Sequence, residues 1–122
     1  MPKEKRKFPR VRADFGVQYK IKDSDSPPIK AVSVNIGERG IMMKIPKKLD
    51  MGTILELKIT LPSPHVIISS LGRVVYVLDN YWDEYPPYRC GVEFLELKEK
   101  DRETVRKFVN ETIAKLDWEH WL

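Results

Sequence analysis

Leu55, Leu57, Ile59 and Leu61 alternate with Glu56, Lys58 and Thr60. A repeat of two puts the apolar side chains on one face of an extended strand and the polar ones on the other. A helix of period 3.6 cannot do this. The same alternation recurs in Phe15, Val17, Tyr19 and Ile21, set against Gln18, Lys20 and Lys22, and again in Val32, Val34 and Ile36. Ile41, Met43 and Ile45 resume it, a long β-rich stretch runs from Val66 to Leu78, and "RCGVEFLEL" at 89–97 closes the series. Gly72 predicts a bend or bulge within the long stretch. The breaks are short and turn-rich: "DSDSPP" at 23–28, "NIGERG" at 35–40 and "LPSP" at 61–64. Six strands with no helix between them predict a mainly β fold, an antiparallel barrel or sandwich.

After Leu97 the period changes. Val105, Phe108, Val109, Thr112, Ile113 and Leu116 recur at spacings of three and four, the stripe of an amphipathic helix. Arg102, Glu103, Arg106, Lys107, Glu111 and Lys115 fill its other face. Such a stripe serves most simply as a lid packed across an open side of the β-structure; a dimer interface is the other use. The expected organisation is one domain: a flexible basic arm over 1–12, the barrel over 13–97, and a C-terminal helix and tail over 98–122. The tail carries Trp118 and Trp121.

One hundred and twenty-two residues can bury a core without disulfides or metals. No run approaches the roughly 18 apolar residues of a membrane span, and no signal-peptide pattern is present. Cys90 is the sole cysteine, so no internal disulfide can form, and a cytoplasmic location is the expectation. The net charge of +4 is unevenly distributed. Residues 1–12 carry six basic residues against Glu4, a balance of +5, whereas the remaining 16 basic and 17 acidic residues give −1. Such asymmetry points to an anionic partner at the N-terminus: nucleic acid, lipid headgroup or nucleotide. Pro9 disfavours helix for itself and for Phe8, so the arm is expected to be extended. Arg6 and Arg10 then share a side, about 13 Å apart at full stretch. A guanidinium there can fork onto phosphate oxygens or the O6/N7 edge of guanine, or stack on a base.

Catalytic patterns are lacking. Two histidines and one cysteine offer no metal-ligand spacing, and no nucleophile elbow or phosphate loop occurs. The expectation is a binding protein with no catalytic residues, no metal and no cofactor. "NIGERG" reads as a hairpin turn that presents backbone amides and one side-chain amide at a strand end. Tyr81, Trp82, Tyr85 and Tyr88, in the segment 79–89, read as packing of a hairpin tip or as a partner-protein surface. Nucleic acid is an unfavoured partner, because the body is near neutral and its strands do not interleave basic with aromatic residues.

Arg6-Lys7-Phe8-Pro9-Arg10, an RxxxR arm, is followed some two dozen residues later by Asn35-Ile36-Gly37-Glu38-Arg39-Gly40, close to a D/N-x-S-x-x-G turn. With the strands, "YRCGVEFLEL" and the helix after it, the chain resembles the PilZ domain family over nearly its whole length. The resemblance implies a PilZ-like split barrel of six antiparallel strands with a C-terminal helix packed on it. It implies cyclic di-GMP as the ligand, held by Arg6, Arg10, Asn35, Gly37 and Gly40, with Arg12 and Arg39 as additions. Gly40 would allow close backbone approach. A stand-alone adaptor is then expected: cyclic di-GMP orders the arm, and the signal passes to a downstream protein partner, as a monomer or a ligand-dependent dimer. Gly37 stands where the family has serine, which removes a hydrogen bond worth roughly 0.5–1.5 kcal/mol. Arg39 stands where glycine is common and costs about 1–2 kcal/mol if that position needs positive φ. Those departures motivate the alternative of a degenerate interaction module that no longer binds the nucleotide.

Overall fold

The structure, a computed structural model, describes residues 10–12, 15–62, 65–79 and 85–121, the last six of them by backbone alone. The elements run β1 (Arg10–Arg12), β2 (Gly16–Ile21), β3 (Ile29–Gly37), β4 (Gly40–Ile45), β5 (Ile54–Leu61), β6 (Val66–Asp79), β7 (Tyr88–Phe94) and α1 (Glu99–Trp121). Every strand pair is antiparallel. Strands β3, β2, β5, β6, β7 and β4 hydrogen-bond in that order, and β4 pairs back onto β3. The six strands therefore close a barrel, which leaves no pair of long open edges.

Burial follows the alternation. Leu55, Leu57, Ile59 and Leu61 are each 2% exposed or less, while Glu56 and Lys58 between them face solvent. Val17, Tyr19, Ile36, Ile41, Met43, Ile45, Ile68, Val74 and Val92 complete the barrel interior. Helix α1 packs against β3 and β1 and buries Val105, Phe108 and Val109. That part of the stripe packs within the chain, as a lid. The segment "DWEHW" continues the helix to Trp121.

Two strands depart from the simple pattern. Val32, Val34 and Ile36 do not share a face. Ala31 and Ser33 point inward, Val32 is 44% exposed, and the register slips between Ser33 and Asn35 before Ile36 turns inward. One extra residue at such an irregularity exchanges the two faces. Gly72, expected at a bend, instead sits in regular pairing opposite Leu55 and Phe94, and the register slip on β6 falls between Val74 and Tyr76. A Cβ at Gly72 would stand 2.4 Å from Val92 Cγ1 and 2.9 Å from Leu57 Cδ1. The missing side chain is space for two core residues.

Tyr19 and Cys90 face each other's surroundings inside the barrel. Burial pushes the Tyr19 hydroxyl up to about 12, with a further contribution from Cys90, and pushes the Cys90 thiol up to about 12. Cys90 is therefore a neutral, buried thiol at physiological pH, unsuited to nucleophilic or metal-ligand chemistry.

Candidate functional site

The basic arm enters the described chain at Arg10, and Arg6 lies outside the described residues. Arg10, Val11 and Arg12 form β1, a seventh strand laid along the same edge of β3 that β2 occupies. Alternation anchors it: Val11 is 3% exposed and pairs with the buried Ile36, so Arg10 and Arg12 face away from the core. The register is specific. Arg10 lies opposite Gly37 and Arg12 lies opposite Asn35. Two segments some two dozen residues apart in sequence are thus cross-strand neighbours. Arg12 and Gly16 are four positions apart in the chain, but their partners Asn35 and Val32 are only three apart. The slip is bridged by Ser33, whose Oγ accepts from the Phe15 amide at 3.1 Å and whose amide donates to the Phe15 carbonyl at 3.2 Å.

Asn35 sits between Arg12 on β1 and Met42 on β4. Its Nδ2 reaches the Met42 sulfur at 3.8 Å, and its Oδ1 is buried without a hydrogen-bond partner among the described residues. A thioether is a weak acceptor, so most of the amide's hydrogen-bonding capacity is unused. A buried acceptor left unpaired costs about 1–3 kcal/mol. An incoming donor would recover that energy.

Among the described residues, positive φ occurs at Asp23, His65 and Gly52, so Arg39 carries no left-handed strain. The cost that a glycine-preferring position would impose does not arise. The Arg39 carbonyl accepts from the Phe94 amide at 2.8 Å, which ties the turn to β7. Gly40 is held by the barrel itself: a Cβ there would lie 2.3 Å from the Val92 carbonyl oxygen. Its close backbone approach is to β7.

Glu38 is the residue that sequence reasoning passed over. It is buried in the turn, and Arg106 Nη2 on α1 donates to its Oε1 at 2.9 Å. The pair is 68 residues apart in sequence, and Arg106 looks like any solvent-face charge on a helix. No spacing signal connects them. The Arg106 hydrogen bond, with the nearby charges of Arg102 and Arg39, holds the Glu38 carboxyl below its ordinary value despite partial burial. In the unfolded chain Glu38 takes up its proton at a higher pH than in the folded one. Its contribution to stability is therefore complete above the ordinary carboxylate value and is lost as pH falls through the lower folded value. Glu38→Gln is expected to flatten that part of the acid limb; urea unfolding at a series of pH values between 7 and 3 checks it.

A separate open concavity of about 640 Å³ lies on the outside of β2, β5 and β6, walled by Gln18, Lys20, Glu56, Lys58, Ser69 and Leu71. Lys20 and Glu56 pair across it at 3.5 Å, and none of the arm or turn residues lines it. It is thus distinct from the β1–β3 edge, where Arg10, Arg12 and Asn35 lie. Among the described residues no cluster of three metal-ligating side chains occurs, and no helix is long and apolar enough to cross a membrane.

The described chain is thus a small closed antiparallel barrel, with a basic strand laid beside β3 and a helix packed against both and joined to the following turn through Arg106 and Glu38. The family profile of the PilZ domain matches residues 4–111, and the chain belongs to that family. The fold is shared with the Bacillus subtilis inhibitor of motility MotI/DgrA, at 19% identity and a TM-score of 0.79 over 92% of this chain and 53% of that one. It is shared with the PilZ domain of Escherichia coli YcgR, solved with c-di-GMP, at 10% identity and a TM-score of 0.73 over 96% and 98%. It is shared also with the K. pneumonia MrkH–c-di-GMP complex, at 16% identity and a TM-score of 0.76 over 95% and 56%. The chain spans little more than half the length of MotI/DgrA and MrkH. No curated protein sequence matches it.

Proposed function

We propose that this chain is a cytoplasmic cyclic di-GMP receptor that acts as an adaptor. Arg6 and Arg10 take the phosphates and guanine edges, Asn35 and the turn through Gly37 to Gly40 take a guanine, and Arg12 and Arg39 add cationic contacts. Ligand binding orders the arm before Arg10, and the altered surface engages a downstream protein. The observation that carries this reading is the β1–β3 register, Arg10 opposite Gly37 and Arg12 opposite Asn35. Family membership and the ligand named in the YcgR and MrkH complexes support it. The chemistry is complementary: a dianion with two guanines meets forked cations and an unsatisfied amide oxygen.

Titration calorimetry with cyclic di-GMP tests the reading. Arg10→Ala removes a charge-assisted contact worth roughly 1.5–3 kcal/mol, so affinity is expected to fall about 10- to 100-fold. Absence of heat at tens of micromolar wild-type protein, or equal affinity in Arg10→Ala, would overturn it. Gly37 in place of a hydroxyl-bearing residue favours a second reading, an interaction module that no longer takes the nucleotide. Capture of a partner protein that is indifferent to cyclic di-GMP, together with a silent titration, is its signature.

A further inference from the structure

The open concavity on β2, β5 and β6 is a trough with a chemistry of its own. Three strands make its floor, with β2 and β6 about 10 Å apart across β5. Ile29 pairs with Tyr19, so Ser26 and Pro28, which lead into β3, wall the β2 side. The Leu95 amide donates to the Leu71 carbonyl at 2.9 Å, so Glu96 and Lys98, which follow, wall the β6 side. In the closed order of the strands β6 stands opposite β3, and β5 stands opposite β4. The trough therefore lies across the barrel from the arm and the turn. Its volume of about 640 Å³ is far more than one ion fills and suits several side chains at once.

The outward residues fall into cross-strand rows. Lys20, Glu56 and Leu71 make one row, and Gln18, Lys58 and Ser69 make the next. Thr60 and Ile67 continue the face just beyond the trough. The charges are not equivalent. Lys20 meets Glu56 at 3.5 Å and donates to the Ser24 carbonyl at 2.9 Å. Lys58 stands in mid-floor between an amide and a hydroxyl, exposed and with no ion-pair partner among the described residues. Lys98 on the wall has none either, and the acid that remains is Glu96. Along β6 the rows therefore present half-buried Leu71, then Ser69 beside the free Lys58, then Ile67 at 64% exposure. Successive rows are about 6.8 Å apart, which is also the spacing of same-face side chains on any extended segment laid along the strands. A nucleic-acid backbone would need cations in successive rows, and here Glu56 and apolar side chains interrupt them.

We propose that this trough is a docking groove for an extended acidic segment of a partner protein, with the pattern apolar–x–acidic–x–apolar. The central carboxylate meets Lys58, with Lys98 close on the wall, and the two flanking side chains lie on Leu71 and Ile67. Charge complementarity chooses an acidic occupant, and the row spacing chooses an extended one. The groove is complete without the arm, so this inference goes beyond the receptor reading and does not depend on it. The competing account is a solvated sheet face whose lysines only keep the barrel soluble.

The probe is a phage-displayed library of random heptapeptides, selected on the full chain, with the enriched peptides synthesised and titrated. Enrichment of the apolar–x–acidic–x–apolar pattern is expected. Lys58→Glu is expected to weaken those peptides about tenfold or more, and Ile67→Ser about threefold or more. Lys47→Glu makes the same change of net charge at an exposed site outside the trough, and is expected to leave their affinity unchanged. In the wild-type chain, added peptide is expected to shift the amide resonances of Gln18, Lys58 and Ser69 and to leave those of Arg10, Arg12 and Asn35 in place. That mapping decides alone if a variant does not fold. Absence of the pattern, equal affinity in folded Lys58→Glu, or shifts confined to other strands overturns the proposal. So does displacement of the peptide by a single-stranded thymidine oligonucleotide, which would assign the lysines to nucleic acid. Saturation with cyclic di-GMP is expected to leave peptide affinity unchanged; competition between the two would make the trough part of the nucleotide site and overturn the inference. A silent titration with cyclic di-GMP alone bears on the receptor reading and leaves the peptide result standing.

Discussion

Gly40→Ala is expected to lower the free energy of unfolding by about 3 kcal/mol or more, the upper end of what overpacking costs. For a domain of this size that corresponds to a fall in Tm of roughly 10 °C or more. The reason is geometric. The new Cβ would lie 2.3 Å from the Val92 carbonyl oxygen, 3.2 Å from its carbonyl carbon and 3.3 Å from Glu93 Cα. All three are backbone atoms of the neighbouring strand, so no side chain can swing away to make room. Gly16→Ala is the internal control: nothing lies within 4 Å of a Cβ there, and its φ is not in the left-handed region. Replacing that glycine is expected to be neutral or to stabilise by up to about 1 kcal/mol. Thermal unfolding of both variants checks the pair. A glycine kept only for the ligand would give the opposite pattern at 40, with unchanged Tm and lost binding. If Gly40→Ala loses both, its binding defect reports a displaced β4 rather than a missing ligand contact.

What could be read from sequence here follows from how locally each feature is specified. The β5 pattern needs only its own residues, because Leu55, Leu57, Ile59 and Leu61 declare their face without reference to any partner strand. The Val32–Val34–Ile36 run misleads for the same reason: a register slip at Ser33–Asn35 is a property of a strand pair, invisible to one strand's alternation. Gly40 and Gly72 carry the same letter in different settings, one facing a backbone carbonyl and the other facing Val92 and Leu57 side chains. Only the folded neighbours distinguish them. The arm and turn motifs were legible as types of residue in order. The register that sets Arg10 against Gly37 was not, since the alternation of Arg10, Val11 and Arg12 spans three residues beside a cluster of charge. Glu38 and Arg106 were not legible either. Each is an ordinary surface letter until α1 folds over the turn and sets the half-exposed Arg106 against the buried Glu38.

That docking of α1 gives the second large effect. Phe108→Ala is expected to cost about 3–5 kcal/mol, the range for removing a buried phenylalanine. Phe108 is 6% exposed, and its ring meets Phe15 edge to face, with centroids 5.9 Å apart and planes at 89°. Such a pair adds about 0.5–1.5 kcal/mol to the burial of its area. Phe108→Leu should therefore recover most of the burial and lose chiefly that increment. Chemical denaturation of the two variants separates the contributions. The consequence extends beyond stability because α1 packs against β1 and β3, the strands that carry Arg10, Arg12 and Asn35. Loosening the helix also frees Glu38 from Arg106. Amide exchange is accordingly expected to rise in Phe108→Ala at β1 and at the turn after β3 more than at β5, whose pairing with β2 and β6 does not involve the helix. A dimer interface on the same stripe would instead make the loss depend on protein concentration. With Val105, Phe108 and Val109 already buried within one chain, the denaturation midpoint is expected to be the same at low and high concentration.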